Sequence, residues 1–200
     1  MTERVLYLVI CAAGPASRID VMVNLARAAG WSVHCLATPA AVEYFLDVPA
    51  LTALTGHPVR TTYRKAEGES LPRADAIVVA PATYNTINKW ATGIADNYVL
   101  NQLAELTGLG ARIVVLPFVN QGLAANQVFL HSIEKLRQAG VHVLFGPGEF
   151  EPHPPHTGGT ILDNYPWNRA LDAARPSAWK NPANGTVPGG GRTSAASDAE

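Results

Sequence analysis

The residues best suited to chemistry lie in the stretch Ala80–Asn97 (APATYNTINKWATGIADN), directly after the apolar run Asp75–Ala80 (DAIVVA). Thr83, Asn85 and Thr86 follow this predicted strand at its carboxyl end, which is where ligands bind in a parallel α/β sheet. Their hydroxyl and amide groups donate and accept hydrogen bonds without carrying charge. This set of groups favours a polar heterocycle with amide-like edges over a metal ion or a free phosphate.

The first loop of the chain could bind an anion. Ala12–Ser17 (AAGPAS) follows the apolar run Val5–Cys11, and Gly14 permits a close approach of the backbone to a ligand. Ser17 is predicted to cap the helix Ile19–Ala29. A small-residue loop that leads into a helix N-terminus points free N–H groups at an anion. Because many βαβ proteins share this pattern, the loop alone does not identify a ligand.

Two more polar residues follow predicted strands. Thr38 comes after Trp31–Ala37 and precedes Pro39, which is the pattern of a helix N-cap with proline at the first helical position. Asn120 follows the apolar strand Arg112–Leu116, and its amide could donate to a carboxylate. A plain helix cap at Thr38 and an asparagine turn at Asn120 are the alternative interpretations.

The central stretch resembles the P-A-S-A-N-T-x-x-K-x-A-x-G-x-x-D-N block of the flavin-containing cysteine decarboxylases. That family includes phosphopantothenoylcysteine decarboxylases and the enzymes that decarboxylate the C-terminal cysteine of lantibiotic-type peptides. A block of this length is a specific signal. The positions that match in register are Pro81, Ala82, Asn85, Thr86, Lys89, Ala91, Gly93, Asp96 and Asn97, while Thr83 replaces a serine and Tyr84 replaces a smaller residue.

The resemblance implies a flavin cofactor, FMN with FAD as the alternative, and roles for named residues. It implies oxidation of a substrate cysteine by hydride transfer to the flavin, followed by loss of carbon dioxide to leave an enethiol. Asn120 would hold the substrate carboxylate, and Gly14, Ser17 and Thr38 would hold the flavin phosphate. The other implied flavin contacts are Ala80, Pro81, Ala82, Thr83, Asn85, Thr86 and Asp96.

The chain departs from the family pattern in its predicted acid–base group. The family places a catalytic histidine about eight residues before the acidic residue that opens the central strand, and here that position is Glu67. No histidine lies between His57 and His131. Glu67 could serve if its pKa were raised, although a surface carboxylate is the alternative interpretation.

The resemblance implies that Gly146–Gly159 (GPGEFEPHPPHTGG) forms a flap over the substrate, and the composition of this segment bears on the identity of the substrate. The segment contains no cysteine, as in the peptide-modifying enzymes of the family, whereas the coenzyme A pathway enzymes have one there. The resemblance therefore favours the C-terminal cysteine of a peptide as substrate. His153 and His156 lie in this segment, but no thiol or third histidine accompanies them as a metal site would require.

Three other functions stay open at this point. Pro117-Phe118-Val119-Asn120 resembles the family's P-x-M-N loop, with Val119 in the position of the methionine. This difference and the missing histidine would suit a flavin-binding protein without decarboxylase activity. A phosphopantothenoylcysteine-type decarboxylase is a second alternative. A flavin prenyltransferase shares the fold, but the chain shows no clear arginine and glutamate set for a prenyl phosphate.

Strands that alternate with helices predict a three-layer αβα fold with a doubly wound parallel sheet of about six strands, Rossmann-like or flavodoxin-like in type. The predicted strands include Val59–Thr62 and Val141–Phe145, and Ala124–Ala139 is predicted as one amphipathic helix. Residues 1–174 are expected to form a flavoprotein domain. Residues 175–200, rich in Pro, Gly, Ser and Ala, are expected to form a disordered tail.

Composition excludes several classes of partner. The 200 residues carry 15 basic and 16 acidic side chains, so charge does not favour nucleic acid or an anionic membrane surface. No apolar run approaches the roughly 18 residues of a membrane span, and the N-terminus lacks a signal-peptide pattern. Cys11 and Cys35 sit in apolar strands and are expected to be buried thiols. We therefore expect a cytoplasmic protein, and the resemblance implies a homotrimer or a multiple of trimers.

Overall fold

The computed structural model describes residues 4–63 and 70–176. In these residues five strands form one parallel sheet, and they are β1 (Arg4–Ile10), β2 (Trp31–Ala37), β3 (Ala76–Ala82), β4 (Ile113–Pro117) and β5 (His142–Val143). Their order across the sheet is β2-β1-β3-β4-β5. The predicted flavodoxin-like, doubly wound α/β fold is confirmed, and its strand order reverses between β1 and β3.

Helices follow the strands along the chain. They are α1 (Ile19–Ala28), α2 (Pro39–Tyr44), α3 (Val48–Thr55), α4 (Tyr84–Ala91), α5 (Tyr98–Gly108), α6 (Gln121–Ala124), α7 (Gln127–Gln138) and α8 (Trp167–Ala174). Short 3₁₀ segments occupy Gly14–Arg18 and Gly158–Asn164. Helix α1 packs against α3 and α8, whereas α4 packs against α5 and α7, so the helices form two separate groups. No helix in the described ranges is long and apolar enough to cross a membrane.

The central strands are buried on both faces, as their continuous apolar sequences predict. Every residue of β3 and β4 is buried, and so are the last five residues of β1. Leu6, Leu8 and Ile77 have less than 2% of their surface exposed. Full burial of one such side chain contributes roughly 1.5–3 kcal/mol. This rigid sheet fixes the positions of the loops that leave its carboxyl edge.

The predicted sixth strand is reduced to a single bridge. Arg60 pairs with β2 through Ala37 N to Arg60 O and Arg60 N to Cys35 O, both 2.9 Å long. Pro58, two residues earlier, has no N–H to donate, so the pairing cannot extend toward the N-terminus. The last predicted strand is also shorter than expected, because Phe145 N turns back to Val143 O at 3.0 Å.

Side-chain caps set several helix boundaries. Thr38 caps α2 as predicted, and Gly56, with a φ of 76°, ends α3. The predicted single helix Ala124–Ala139 is instead α6 and α7, because Asn126 interrupts it and caps α7. The predicted cap at Ser17 is wrong: the Ser17 hydroxyl donates to Gly14 O at 2.9 Å inside the 3₁₀ segment.

The C-terminal boundary of the described fold lies at α8. This helix ends at Ala174, the residue at which the predicted domain ends. The predicted tail lies outside the described residues from residue 177 onward. The predicted catalytic residue Glu67 also lies outside them, in the gap between residues 63 and 70.

Candidate functional site

A cavity of about 560 Å³ opens at the carboxyl edge of the sheet, between the loops that follow β1, β2, β3 and β4. This position is where ligands bind in open α/β sheets. Tyr84 carries the one ionisable side chain among the described residues that line it. The lining residues are Ala12, Ala13, Thr38, Pro39, Ala40, Thr83, Tyr84, Asn85, Thr86, Asn97, Leu100, Phe118 and Leu123.

The three polar residues singled out after β3 share this cavity. Thr83 caps α4: its Oγ1 accepts from Thr86 N at 3.2 Å and donates to Thr86 Oγ1 at 2.9 Å. Thr86 is only 5% exposed, so this pair of hydroxyl groups is fixed. The side chain of Asn85 is exposed and makes no hydrogen bond to any described residue. Its amide is therefore available to a ligand.

The Cys11 thiol lies beneath these hydroxyl groups. Burial raises the pKa of Cys11, while hydrogen bonds from the Thr86 hydroxyl and the Thr83 backbone oppose that rise. Cys11 is 0% exposed, so the thiol stays protonated and does not reach the cavity. Its contribution is to support the loop from below.

Thr38 brings the second strand end to the same cavity. Its side chain is 7% exposed, and its Oγ1 accepts from Ala41 N at 3.3 Å. The Thr38 N–H donates to Ile10 O at 3.0 Å, which ties this loop to the end of β1. Ala12 and Ala13 then complete this end of the cavity.

The structure does not bring Gly14 and Ser17 to the lining of this cavity. A Cβ at Gly14 would lie 2.9 Å from Leu162 Cδ2 and 3.6 Å from Phe118 Cε1, so Gly14 is packed against the 3₁₀ segment Gly158–Asn164. Ser17 lines a different cavity of about 170 Å³ together with Asp47. The first loop therefore faces the main cavity through its alanines.

Ala80, Pro81 and Ala82 lie within β3 and are fully buried behind the site. Pro81 O accepts from Cys11 N at 3.1 Å, and Ala82 O accepts from Phe118 N at 2.8 Å. These bonds join the ends of β1, β3 and β4. The three residues thus hold the loops in place, and they do not line the cavity.

Asp96 forms an ion pair with Lys89 and also lies outside the lining. The hydrogen bond from Lys89 lowers the pKa of Asp96, which keeps it ionised at neutral pH. Its neighbour Asn97 does line the cavity, and Asn97 Oδ1 caps α5 by accepting from Leu100 N at 3.0 Å. Asn97 belongs to the matched sequence block, so its amide could have been selected on the same grounds as Asn85.

Asn120 lies next to the cavity at the end of β4. Its Oδ1 caps α6 by accepting from Leu123 N at 3.0 Å, and both Phe118 and Leu123 line the cavity. Its Nδ2 donates to none of the described residues. Asn120 also forms a parallel bridge with His153, and Gln121 N donates to His153 O at 2.8 Å. The segment 146–159 is thereby attached beside Asn120.

Phe118 is a lining residue that the sequence did not single out. Its ring lies 4.8 Å from the His153 ring, 5.7 Å from Tyr165 and 6.2 Å from Phe150. Phe150 is 5% exposed, so the segment 146–159 packs onto the edge of the cavity through an aromatic cluster. The strand-end position of Phe118 was visible in the sequence, but its contact with a segment more than 30 residues away was not.

The sequence model of the Flavoprotein family matches residues 2–159. The bifunctional coenzyme A biosynthesis protein CoaBC of Thermococcus kodakarensis is 30% identical over 106 residues, which are 53% of this chain and 25% of that protein. The chain therefore matches about a quarter of the length of this curated relative.

Solved structures share the fold. The FMN-dependent cysteine decarboxylase TvaF from thioviridamide biosynthesis superposes with a TM-score of 0.64 at 23% identity, over 86% of this chain and 99% of that one. The epidermin biosynthesis protein EpiD from Staphylococcus aureus gives 0.60 at 20% identity, over 80% and 99%. A PPC decarboxylase variant in complex with pantothenoylaminoethenethiol gives 0.62 at 17% identity, over 82% and 96%.

Proposed function

The chain belongs to the Flavoprotein family, and we propose that it is an FMN-dependent enzyme that oxidatively decarboxylates a cysteine at the C-terminus of a peptide. Similarity to cysteine decarboxylases that are described as FMN-dependent supports the cofactor and the reaction type. The absence of a cysteine from residues 146–159 supports a peptide substrate. FAD is the alternative cofactor.

The cavity has the size and chemistry that a flavin requires. Its volume of about 560 Å³ falls within the range of cofactor sites. Leu100, Phe118 and Leu123 offer apolar contact to a ring system, and amide and hydroxyl groups offer hydrogen bonds without charge. The observation that carries the proposal is that Thr38, Asn85 and the Thr83–Thr86 pair face one cavity, with the Asn85 amide unpaired among the described residues.

We assign the two ends of the cavity to the two ends of FMN. Asn85, Thr83 and Asn97 would bond the polar edges of the isoalloxazine ring. Thr38, together with the backbone at Ala12 and Ala13, would hold the phosphate. Contacts from Gly14, Ser17 and Asp96 remain predictions, and in this structure they would require loop movement or a neighbouring subunit.

Asn120 is the proposed carboxylate ligand. Its Oδ1 is held by the α6 cap, so Nδ2 is oriented and free to donate to a substrate carboxylate. The chemistry that FMN supplies when bound is the acceptance of two electrons, as hydride, from the substrate β-carbon. The substrate loses carbon dioxide and two hydrogen atoms in total and becomes an enethiol.

The first experiment is the visible absorption spectrum of the purified protein, followed by mass analysis of the released chromophore. We expect a flavin spectrum and the mass of FMN. A colourless protein that takes up neither FMN nor FAD would refute the proposed function. A yellow protein is then mixed with Cys-terminated peptides, and the expected product has lost carbon dioxide and two hydrogens.

Asn120→Asp tests the carboxylate contact. Aspartate preserves the cap of α6, but it removes the Nδ2 donor and places negative charge near the substrate carboxylate. We expect FMN binding to persist while turnover falls by roughly 100-fold or more. Asn126→Asp is the matched control, because Asn126 caps α7 in the same way, with Val128 N to Oδ1 at 2.9 Å, and does not line the cavity. Equal turnover in both variants would contradict the assignment.

A phosphopantothenoylcysteine-type substrate is the second candidate, since the curated relative is a coenzyme A biosynthesis protein. The same assay decides between the two. Faster turnover of 4′-phosphopantothenoylcysteine than of any Cys-terminated peptide would replace the peptide proposal.

A flavin-binding role without catalysis is favoured by a separate observation. Among the described residues that line the cavity, none is a histidine, an acid or a basic side chain. Flavin binding without turnover of either substrate class would support this role.

We also propose that the protein forms a homotrimer or a multiple of trimers with the flavin near the subunit contact. Leu123, which lines the cavity, and Val128, on α7, are 40% and 54% exposed, which supports an apolar contact at the surface that they share with solvent. Light scattering of the FMN-loaded protein measures the mass, and a monomer would contradict this proposal.

A further inference from the structure

The proposed reaction needs a proton acceptor, and the described lining of the main cavity offers only the Tyr84 phenol. A thiol yields its electrons more readily after it loses its proton. A neutral phenol is a weak base and is poorly suited to accept a thiol proton. Within the described ranges, the candidates for this function are therefore groups at the edge of the cavity.

His153 lies at that edge. Its backbone is fixed beside Asn120, the proposed carboxylate ligand, by the parallel bridge and by Gln121 N to His153 O at 2.8 Å. Its ring centroid is 4.8 Å from that of Phe118, which lines the cavity. The histidine is therefore attached to the same strand end as the proposed carboxylate ligand, although it is 33 residues later in the sequence.

One ring nitrogen of His153 lacks a partner. Nδ1 is buried and forms no hydrogen bond within the described residues. An unsatisfied buried polar group costs free energy, so a hydrogen bond made to Nδ1 would stabilise the site. Burial lowers the pKa of His153. The ring is thus neutral at pH 7 and has one nitrogen able to accept a proton.

The surrounding packing holds the ring in place. A Cβ at Gly158 would lie 3.1 Å from His153 Nε2 and 3.4 Å from the Phe118 ring, so the side chains close over this glycine with little free space. Phe150 packs against Phe118 and Tyr165 on the other side. A ring fixed in this way has lost most of its freedom before a substrate arrives, which is a property of catalytic groups.

We infer that His153 is the base that accepts the thiol proton of the substrate cysteine, in the place of the histidine that the family positions elsewhere. The inference rests on the proposed function. The step is a proton transfer: the S–H bond breaks, an N–H bond forms on the imidazole, and the electron pair stays on sulfur. Asn120 and His153 would then bind the two ends of one cysteine, its carboxylate and its thiol.

The kinetic test compares His153→Asn with His156→Asn in the FMN-loaded protein. His156 is three residues later in the same segment, is exposed, and has a φ of 67° that asparagine tolerates. With a Cys-terminated peptide under anaerobic conditions, we expect flavin reduction to slow by roughly 100-fold in His153→Asn and to be unchanged in His156→Asn. The wild-type rate should fall as the pH drops through the His153 pKa, and the His153→Asn rate should not show this dependence.

A second readout does not depend on turnover. In ¹⁵N-histidine NMR spectra, N-acetyl-L-cysteine should shift the His153 ring nitrogens toward the protonated form, and N-acetyl-L-alanine, which lacks the thiol, should not. A His153→Asn variant that reduces its flavin at the wild-type rate would overturn this inference and leave the proposed function standing. A wild-type protein whose flavin is reduced by no cysteine substrate would refute the proposed function, and the assignment of His153 as a base would fail with it.

Discussion

Thr38 both caps α2 and lines the main cavity. Substituting it can therefore show whether its hydroxyl group binds a ligand in addition to capping the helix. Its Oγ1 accepts from Ala41 N at 3.3 Å, and its side chain lines the main cavity. In Thr38→Ala the lost cap should reduce the free energy of unfolding by about 1 kcal/mol, or roughly 2–4 °C in Tm. If the hydroxyl also donates to the FMN phosphate, the charged hydrogen bond is worth roughly 1.5–3 kcal/mol. FMN should then bind about 10- to 100-fold more weakly.

A matched control isolates the cap. Asp47 caps α3 through Ala50 N to Oδ1 at 3.0 Å, in a first turn that also contains a proline, and it does not line the main cavity. Asp47→Ala should therefore lower Tm by a similar amount without changing FMN affinity. Thr38→Ser keeps the hydroxyl and should restore both properties.

The assay is a titration of the flavin-free protein with FMN, followed by flavin fluorescence, and a parallel titration with riboflavin. Riboflavin lacks the phosphate, so Thr38→Ala should weaken its binding much less than that of FMN. If Thr38→Ala lowers Tm but leaves FMN affinity unchanged, Thr38 is only a helix cap. If it weakens FMN and riboflavin equally, the hydroxyl does not contact the phosphate.

Two other perturbations follow from the same structure. Asn85→Ala should weaken FMN binding by about 10-fold without changing Tm, because the Asn85 amide forms no hydrogen bond to a described residue. Fluorescence titration and Tm measure the two effects. The control is Asn24→Ala, since Asn24 is an exposed asparagine on α1. Burial, with the nearby His57 and Arg60, lowers the pKa of His34 to about 4, so the folded protein favours neutral His34. Stability should be full above pH 6.5 and fall by about 1–3 kcal/mol toward pH 4. His34→Gln should flatten this part of a urea-unfolding profile, and an unchanged profile would exclude His34 as its cause.

Local patterns in the sequence were sufficient for the parts of the fold that depend on near neighbours. Continuous apolar runs located β1 to β4, because strands buried on both faces need apolar residues on both sides. Thr38 was correctly placed as a helix boundary, since a cap involves atoms only a few residues apart. The predicted sixth strand, Val59–Thr62, is only a single bridge at Arg60 in the structure. The apolar pattern does not show how far a strand pairs with its neighbour when Pro58, which has no N–H, precedes it.

The candidate site was predicted in part for the same reason. Thr38, Thr83, Asn85 and Thr86 meet at one cavity, because the carboxyl ends of neighbouring parallel strands lie at one edge of the sheet. Gly14 and Ser17 follow a strand as well, yet they turn away into a 3₁₀ segment. The direction of that turn depends on packing against residues 158–164. The sequence of the first loop alone gives no information about this packing.

The sequence by itself determined the fold class and the strand-end block Ala80–Asn97, since apolar periodicity, capping residues and a long matched motif are properties of adjacent positions. Tertiary structure alone decided which distant side chains share the site. Phe118, Asn120 and His153 meet because the backbone of the segment 146–159 pairs with the end of β4 and its aromatic residues pack there. Such contacts follow from the register and packing of elements that are far apart in the chain, and these are fixed only when the whole core is assembled.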